Sequence, residues 1–304
     1  MDEIKYSIII PHKNSIHLLK RCIESIPERN DLEIIVVDDN SGIAHQDFPY
    51  QERKNLKYIF LNEIQSNYAG HARNEGLKIA KGDWLLFADA DDYYYTENLN
   101  KLLNKYKDVD YYDIVYFYVN VINEHGVISE YKINTHIRKY LASKCYSEKI
   151  LRFGSWTPWT RMVSKRLVAK YNIEFEESPT GNDLYFGIKT SGHASKIACE
   201  TELIYCYSRP TTWVSLTDSY YTLNTLEQRM EQTVRMNELY DLFNYKFKFS
   251  LLINYKVPSY IKAPTQIKEF KSIRRNFYIK RGINPITELL KAVIYKYGRV
   301  FKHI

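Results

Sequence analysis

The sequence predicts an alternating α/β fold built on a parallel sheet, and three observations carry that prediction. Apolar runs of strand length recur at residues 6–10, 32–37, 57–61 and 84–88, and continuous rather than alternating runs mark strands buried on both faces. Amphipathic stretches of helical period separate the first strand from the second and the third from the fourth, the strand-helix-strand order of parallel sheets. Two of the runs end in carboxylates, Asp38-Asp39 and Asp89-Ala90-Asp91-Asp92. Open α/β sheets bind ligands outside the carboxyl ends of their strands.

Taken in order, residues 6–10 form a β-branched central strand ended by Pro11. Ser15 is a candidate N-cap for a helix to about residue 26, with Leu18, Leu19, Cys22, Ile23 and Ile26 on one face. Residues 32–37 make the second strand and 57–61 the third. Asn67 caps the next helix, in which Ala69, Ala72, Gly76 and Ile79 recur at helical spacing, and Gly82 closes it. Residues 84–88 are the fourth strand. Neither G-x-G-x-x-G nor G-x-x-x-x-G-K-S/T occurs, so this nucleotide-binding topology lacks its usual glycine fingerprints.

At 304 residues and 45% hydrophobic, the chain has room for one large α/β domain and a smaller appendage. Its net charge of +7 is unevenly placed. Residues 246–304 carry 14 Lys and Arg against two acids, Glu269 and Glu288, so that segment is +12 and the rest −5. No recognised nucleic-acid motif accompanies the basic tail, and no nucleic-acid partner is expected. Four cysteines without C-x-x-C spacing and eight histidines without a metal spacing predict no zinc site. The N-terminus lacks the layout of a signal peptide, and no apolar run approaches the ~20 residues that span a bilayer. A cytoplasmic protein is the expectation.

Two acidic clusters at successive strand ends face one crevice. Three carboxylates within four residues repel one another unless a cation or hydrogen-bond donors offset the charge. Hard oxygen ligands suit Mg²⁺ or Mn²⁺, which take one or two carboxylates and complete their shell with substrate phosphates. The plainer reading of the same acids is a helix N-cap after a strand. His71 and Arg73 lie near the start of the intervening helix, where free N–H groups and the dipole favour an anion. Together these residues describe a site for a nucleoside diphosphate and its metal.

The segments Y-S-I-I-I-P-H-K-N, E-I-I-V-V-D-D-N-S-G and N-Y-A-G-H-A-R-N-E-G-L-K-I-A-K-G-D-W-L-L-F-A-D-A-D-D resemble the successive blocks of the family-2 glycosyltransferases. A looser match, W-T-P-W-T-R-M-V-S-K-R-L-V and then I-E-F-E-E-S-P-T-G-N-D-L-Y-F-G, resembles the acceptor-side block of bacterial capsule and lipopolysaccharide transferases. The resemblance implies a GT-A, Rossmann-like nucleotide-diphospho-sugar transferase fold and an inverting enzyme with a nucleotide-sugar donor. It implies that Pro11, His12 and Asn14 line the nucleotide pocket, although the family usually has an aromatic at the position of His12. It assigns Asp39 to the uracil N3–H, hence a UDP-sugar donor, and Arg73 to the base and diphosphate. Asp91 becomes the direct ligand of Mn²⁺ or Mg²⁺, and Asp89 lies nearer the ribose or a metal-bound water. Asp92 either joins them or caps the next segment. Asp183 matches the general base, preceded by Asn182 where the family carries Glu.

The expected layout is a catalytic domain over residues 1–217, with a nucleotide half to about 110 and an acceptor half beyond it. A helical, basic region follows over 218–304. Trp156 and Trp159, flanking Pro158, are candidates for stacking on an acceptor sugar or for plain packing. From residue 286 the tail is amphipathic, with Ile286, Leu289, Leu290, Val293, Ile294 and Tyr297 on its apolar side. That helix either meets an anionic membrane surface, leaving the protein peripheral on the inner face, or packs on the body. The implied reaction moves a sugar to a saccharide or lipid-linked acceptor in surface polysaccharide synthesis. The alternatives are a Mg²⁺-dependent phosphohydrolase using the strand-end D-x-D, and a nucleotide-sugar-binding partner without activity.

Overall fold

The computed structural model of the chain describes residues 3–65, 68–179, 181–209, 223–246, 249, 251 and 267–300, with the side chains of 144–146, 224, 225, 267 and 293–300 set aside. It divides into two compact units, Met1–Thr212 and Trp213–Ile304. Asn67, the expected cap of the second helix, lies outside the described residues, as does most of the stretch from 244 to 260.

The first unit starts with four parallel strands, β1 (Tyr6–His12), β2 (Leu32–Asp38), β3 (Leu56–Phe60) and β4 (Trp84–Phe87). Every residue of β1, β2 and β4 is buried, as their continuous apolar runs require. Each Ile or Val so buried contributes about 1.5–3 kcal/mol relative to exposure. Helices α1 (Ile16–Glu24) and α2 (Tyr68–Ile79) make the crossovers. Then come β5 (Tyr93–Tyr94), α3 (Thr96–Tyr106), β6 (Ile114–Asn123), β7 (Ile128–Glu130), α4 (Lys132–Ala142), α5 (Lys144–Gly154), β8 (Arg161–Ser164), α6 (Lys165–Lys170), α7 (Asn182–His193) and β9 (Ile197–Arg209). Among the described residues the strands form a single sheet in the order β3-β2-β1-β4-β8-β6-β9-β5, with β7 paired to β6. The parallel half ends at β4, where β8 joins antiparallel.

Three local expectations are corrected. Strand β1 runs through Pro11 to His12, paired with Val37 and Asp38 of β2. The Ile9 carbonyl addresses Ala88 N–H beside β4, and the His12 carbonyl addresses Asp39 N–H. Alternation therefore turns Pro11 toward β4, beyond the last pair Ile9–Phe87, where no ladder hydrogen bond needs its missing N–H. Ser15 stands at the N-cap of α1 without a side-chain cap bond; its N–H donates to His12 Nε2 at 3.2 Å. Helix α2 ends at Ile79, before Gly82. Gly82 passes hard against β1, where a Cβ would collide with the Tyr6–Ser7 backbone.

The second unit contains α8 (Leu223–Leu242), α9 (Ile267–Arg281) and α10 (Pro285–Val300). Its small core gathers Leu226, Met230, Leu251, Phe270, Phe277 and Tyr278. Glu288 of α10 is 2% exposed and accepts the Leu251 N–H at 2.8 Å, while Ile286, Leu289 and Leu290 are more than half exposed. No helix among the described residues is long and apolar enough to cross a membrane.

Candidate active site

The carboxyl ends of β1 and β2 form the first wall. His12, expected to line a nucleotide pocket, is buried at 2% exposure. Its Nδ1 meets Asp38 Oδ1 at 2.7 Å, its Nε2 accepts the Ser15 N–H, and its ring lies edge-on to Phe48. Because Nε2 accepts, Nδ1 carries the proton and donates to Asp38. His12 therefore works as a brace between two loops. Pro11 is buried inside β1. Asn14 alone of the three is exposed, at φ 63°, a left-handed position that Asn tolerates. Its N–H donates to the Ser41 hydroxyl at 2.8 Å.

Asp38 also accepts from the Ser41 hydroxyl and, at 2.9 Å, the Ser41 N–H. Burial pushes its pKa up, but the His12 and Ser41 hydrogen bonds outweigh burial and hold it below the ordinary carboxylate value. Asp39 is buried and paired with Lys13 Nζ at 3.1 Å. Beside these residues opens a cavity of about 560 Å³ lined by Asp38, Asn40, Ile43, His45, Phe60 and Leu61. The His45 and Phe60 rings stack there at 3.7 Å. Neither aromatic was singled out from the sequence, where their pairing across 15 positions has no local signal.

The end of β4 is the second wall, and its three acids part company. Asp92 is fully buried and tied to β9. It accepts the Tyr205 hydroxyl at 2.7 Å and the Ser208 N–H at 2.7 Å. Tyr205 in turn accepts the Asp89 N–H at 2.9 Å. Asp92 is thus an anchor for the acidic loop, neither a ligand nor a helix cap. Asp91 reaches solvent, yet its surroundings desolvate it, and with the Asp89 charge beside it the pKa is pushed up to about 6. Asp89 is part-exposed and meets Arg73 at 2.6 Å.

Arg73, on α2, is buried over the Phe175 ring. One guanidinium nitrogen donates to Asp89 Oδ1 at 2.6 Å and another to Asn182 Oδ1 at 2.7 Å. Asn182 opens α7, and Asp183 follows in its first turn. Desolvation raises the Asp183 pKa; Arg73 and Lys132 pull it down and Asp89 pushes it up. Asp183, Arg73 and Asp89 therefore act within one electrostatic neighbourhood, although 94 residues separate Asp89 from Asp183 in the chain. The two tryptophans divide. Trp159 is 5% exposed, its ring stacked with those of Tyr205 and Tyr207 at 5.4 and 5.2 Å, so it is packed in the core. Trp156 is half-buried, with Lys132 Nζ 4.8 Å from its ring centre.

A sheet whose parallel strands end in acids, one of them held by a buried arginine, with a further acid opening a later helix, defines an α/β protein with a Rossmann-like half. The model described as Glycosyl transferase family 2 matches residues 7–168, and the chain belongs to that family. This confirms the family and the GT-A fold that the sequence blocks imply, and it sets the phosphohydrolase alternative aside. The chain is 26% identical over 267 residues to the poly(ribitol-phosphate) beta-N-acetylglucosaminyltransferase TarS of Staphylococcus aureus, covering 81% of this chain and 45% of that protein. The crystal structure of S. aureus TarS 1–349 in complex with UDP-GlcNAc superposes with a TM-score of 0.64 at 21% identity, over 90% of this chain and 80% of that one. The mannosyltransferase PcManGT of Pyrobaculum calidifontis, solved with GDP-Man and Mn²⁺, gives 0.52 at 12% identity, over 100% and 82%. Both likenesses establish the fold. The chain spans 20% and 45% of the length of the first two curated relatives it matches.

Proposed function

We propose that this chain is an inverting glycosyltransferase that moves a sugar from a UDP-sugar to a saccharide or lipid-linked saccharide acceptor in surface polysaccharide synthesis. The Arg73 bridge carries the reading, because it joins the strand-end acids to the helix of Asp183 through one guanidinium. The UDP-GlcNAc bound by TarS supports a uridine donor.

The acidic loop fits a divalent cation. No cluster of three or more potential ligand side chains forms among the described residues, so the protein offers Asp91 and Asp89. Two carboxylates are what Mg²⁺ or Mn²⁺ takes when phosphates complete the shell. Burial first, and then the Asp89 charge, push Asp91 up to about 6, and a cation beside it would offset both; the Mn²⁺ bound by PcManGT supports the assignment. When bound, such an ion neutralises charge developing on a diphosphate leaving group.

Arg73 takes a share of the same charge, pre-aimed by Asp89 and Asn182. Asp39 is assigned to the uracil N3–H, and Asn14, exposed with its N–H on the Ser41 hydroxyl, to the same nucleotide. Asp183 accepts the acceptor hydroxyl's proton while that oxygen attacks the anomeric carbon and the bond to the diphosphate breaks. Desolvation makes Asp183 a stronger proton acceptor than a solvated aspartate. Attack opposite the leaving group inverts the centre; retention in the product by proton NMR would exclude this. Trp156, less buried than Trp159, is the tryptophan assigned to an acceptor sugar.

The basic second unit is assigned to an anionic membrane surface. Support comes from Ile286, Leu289 and Leu290, exposed while Glu288 turns inward; the side chains of Val293, Ile294 and Tyr297 lie outside the described residues. Flotation with anionic vesicles should lose the protein when residues after Asn284 are removed, and equal flotation of both forms ends this assignment.

The deciding experiment is calorimetric binding of UDP, GDP and dTDP in Mn²⁺ and in EDTA, on wild type and Asp91→Ala. Uridine-selective binding that needs both the metal and Asp91 is expected. Absence of nucleotide binding in every condition removes the donor site. Binding without transfer of any sugar leaves a nucleotide-sugar-binding partner.

A further inference from the structure

Two cations lie in the neighbourhood of the candidate base Asp183, and neither has an ion pair among the described residues. Lys132 is the first residue of α4, where the helix dipole disfavours a positive charge. Its Nζ rests 4.8 Å from the centre of the Trp156 ring. A Cβ on Gly187 would overlap the Trp156 carbonyl, so the backbone of that tryptophan lies directly against α7. Gly187 stands one turn after Asp183 on the same helix face. The ammonium is thereby brought to the side of α7 that carries the base.

Arg161 is the second cation. It is 1% exposed, and its guanidinium donates to the Tyr116 hydroxyl at 3.3 Å, the Ser191 hydroxyl at 2.6 Å and the Ser155 carbonyl. All three acceptors are neutral, and the Nε–H has no partner among the described residues. Buried charges are ordinarily paired. This one is not, and it adds its charge to that of Lys132.

Desolvation lowers the pKa of both cations, and Asp183 pulls each back up. The charges that act on Lys132 are Asp183 and Arg161, not the acids of β4, whereas Asp183 feels Arg73, Asp89 and Lys132. Lys132 therefore lies beyond the base as seen from the acidic loop, on the acceptor's side rather than the diphosphate's. Two cations share one acid there, and they share none once Asp183 has taken a proton. Lys132 reaches solvent, so a ligand can meet it. A lysine takes a phosphate as a point charge, whereas paired carboxylate recognition favours the arginine fork, and Arg161 is buried.

We propose that Lys132, backed by Arg161, is a specificity-determining cation of the acceptor site, and that the acceptor carries a phosphate close to the hydroxyl that Asp183 deprotonates. This rests on the reading of Asp183 as the base of a glycosyl transfer.

The test is calorimetric binding to the full chain saturated with UDP and Mn²⁺, which closes the donor site to the probes. The probes are bis(glycerol) phosphate, octyl phosphate, gluconate and glycerol. At least one phosphate should bind about tenfold or more tightly than gluconate and glycerol. Lys132→Met should weaken that phosphate about tenfold, the scale of one charge-assisted contact, and leave UDP affinity within about threefold. Lys132→Arg should keep the phosphate within about threefold. Tighter binding of bis(glycerol) phosphate assigns a phosphodiester within the acceptor chain, and tighter binding of octyl phosphate a lipid-borne phosphate; either supports the proposal. Should Lys132→Met melt below wild type, Lys132→Gln makes the same comparison. Gluconate or glycerol matching both phosphates, or phosphate affinity unchanged in Lys132→Met, overturns the proposal alone. So does a parallel loss of UDP, which would move Lys132 to the donor site. A wild type that binds no UDP overturns the donor reading and the proposal with it.

Discussion

At the end of β2, Asp38 is met by three donors, His12 Nδ1, the Ser41 hydroxyl and the Ser41 N–H, and Asp39 has Lys13 beside it. At the end of β4, Asp89 has Arg73, Asp92 has Tyr205 and the Ser208 N–H, and Asp91 has the Arg21 guanidinium on its backbone carbonyl rather than on its carboxylate. Both ends bury acids, and burial pushes every buried carboxylate upward. Donors reverse that push for Asp38, which lies below its ordinary pKa. At β4 they do not: Asp91 rises to about 6, and burial takes Asp92 well above the carboxylate range. The donor-rich end is a closed knot that shapes the loop after β2. At the β4 end the Arg21 charge does not offset the burial of Asp91 and the charge of Asp89, which is the work proposed for a cation. Acids adjacent in sequence thus do different work according to how many donors the fold brings to them.

The strongest way to break that contrast is to neutralise one acid at each end. Asp91→Asn should cut turnover by about 10²–10³-fold or more, the cost of losing a major electrostatic stabiliser. Its melting temperature should stay level or rise, because a like-charge repulsion is removed. An Asp91→Asn protein that melts well below wild type would show that the β4 acids are structural after all.

Asp38→Ala should do the opposite. It strips the buried His12 N–H and the Ser41 donors of their acceptor, at about 2–3 kcal/mol in chemical denaturation. The pH dependence follows from the sign of the shift. Asp38 has its folded pKa below the ordinary 3.8, so its contribution is complete above that value and is lost as pH falls through the folded pKa. The stability gap between wild type and Asp38→Ala should therefore close in acid. A gap that stays constant down to pH 2 would mean that the carboxylate charge plays no part in the knot.

The parallel half of the sheet was legible because its information is local. Buried strands read as continuous apolar runs, and the acids that follow them mark the crevice. Residues that bring the two halves together were not legible in the same way. Tyr205 is 113 positions from Asp92, and nothing in the run L-I-Y-C-Y says that one of its hydroxyls will serve an acidic loop. His12 was read as a pocket residue from its position in the chain, but its contacts depend on Asp38 and Ser15 closing around it. Pro11 misled because a rule about central strands holds only while a neighbour is present on the proline's side. The division between Trp156 and Trp159 depends on Tyr205 and Tyr207 of β9, whose pairing with β6 is non-local.

Tyr205→Phe sharpens the comparison at smaller amplitude. It leaves Asp92 without one donor and the Asp89 N–H without its acceptor, at about 1–2 kcal/mol in stability. Because the hydroxyl links Asp92 to Asp89, a proposed metal ligand, Mn²⁺-dependent UDP affinity should fall as well, while UDP binding in EDTA stays level. Equal losses in Mn²⁺ and in EDTA would place Tyr205 in general packing.

Lys13→Ala is the smallest and asks what closes the β2 knot. The Lys13 side chain is 51% exposed against 6% for Asp39, so solvent screens the pair from one side. Such exposed cations are worth about 0.2–1 kcal/mol. The Asp39 backbone is held independently, its N–H donating to the His12 carbonyl at 2.8 Å. Lys13→Ala should therefore shift stability by less than 1 kcal/mol on that scale and leave the Asp38 pH profile in place. A loss as large as that of Asp38→Ala would show that the knot is held by the lysine's charge. The β2 end would then depend on a cation much as the β4 end does, and the contrast between the two strand ends would fail.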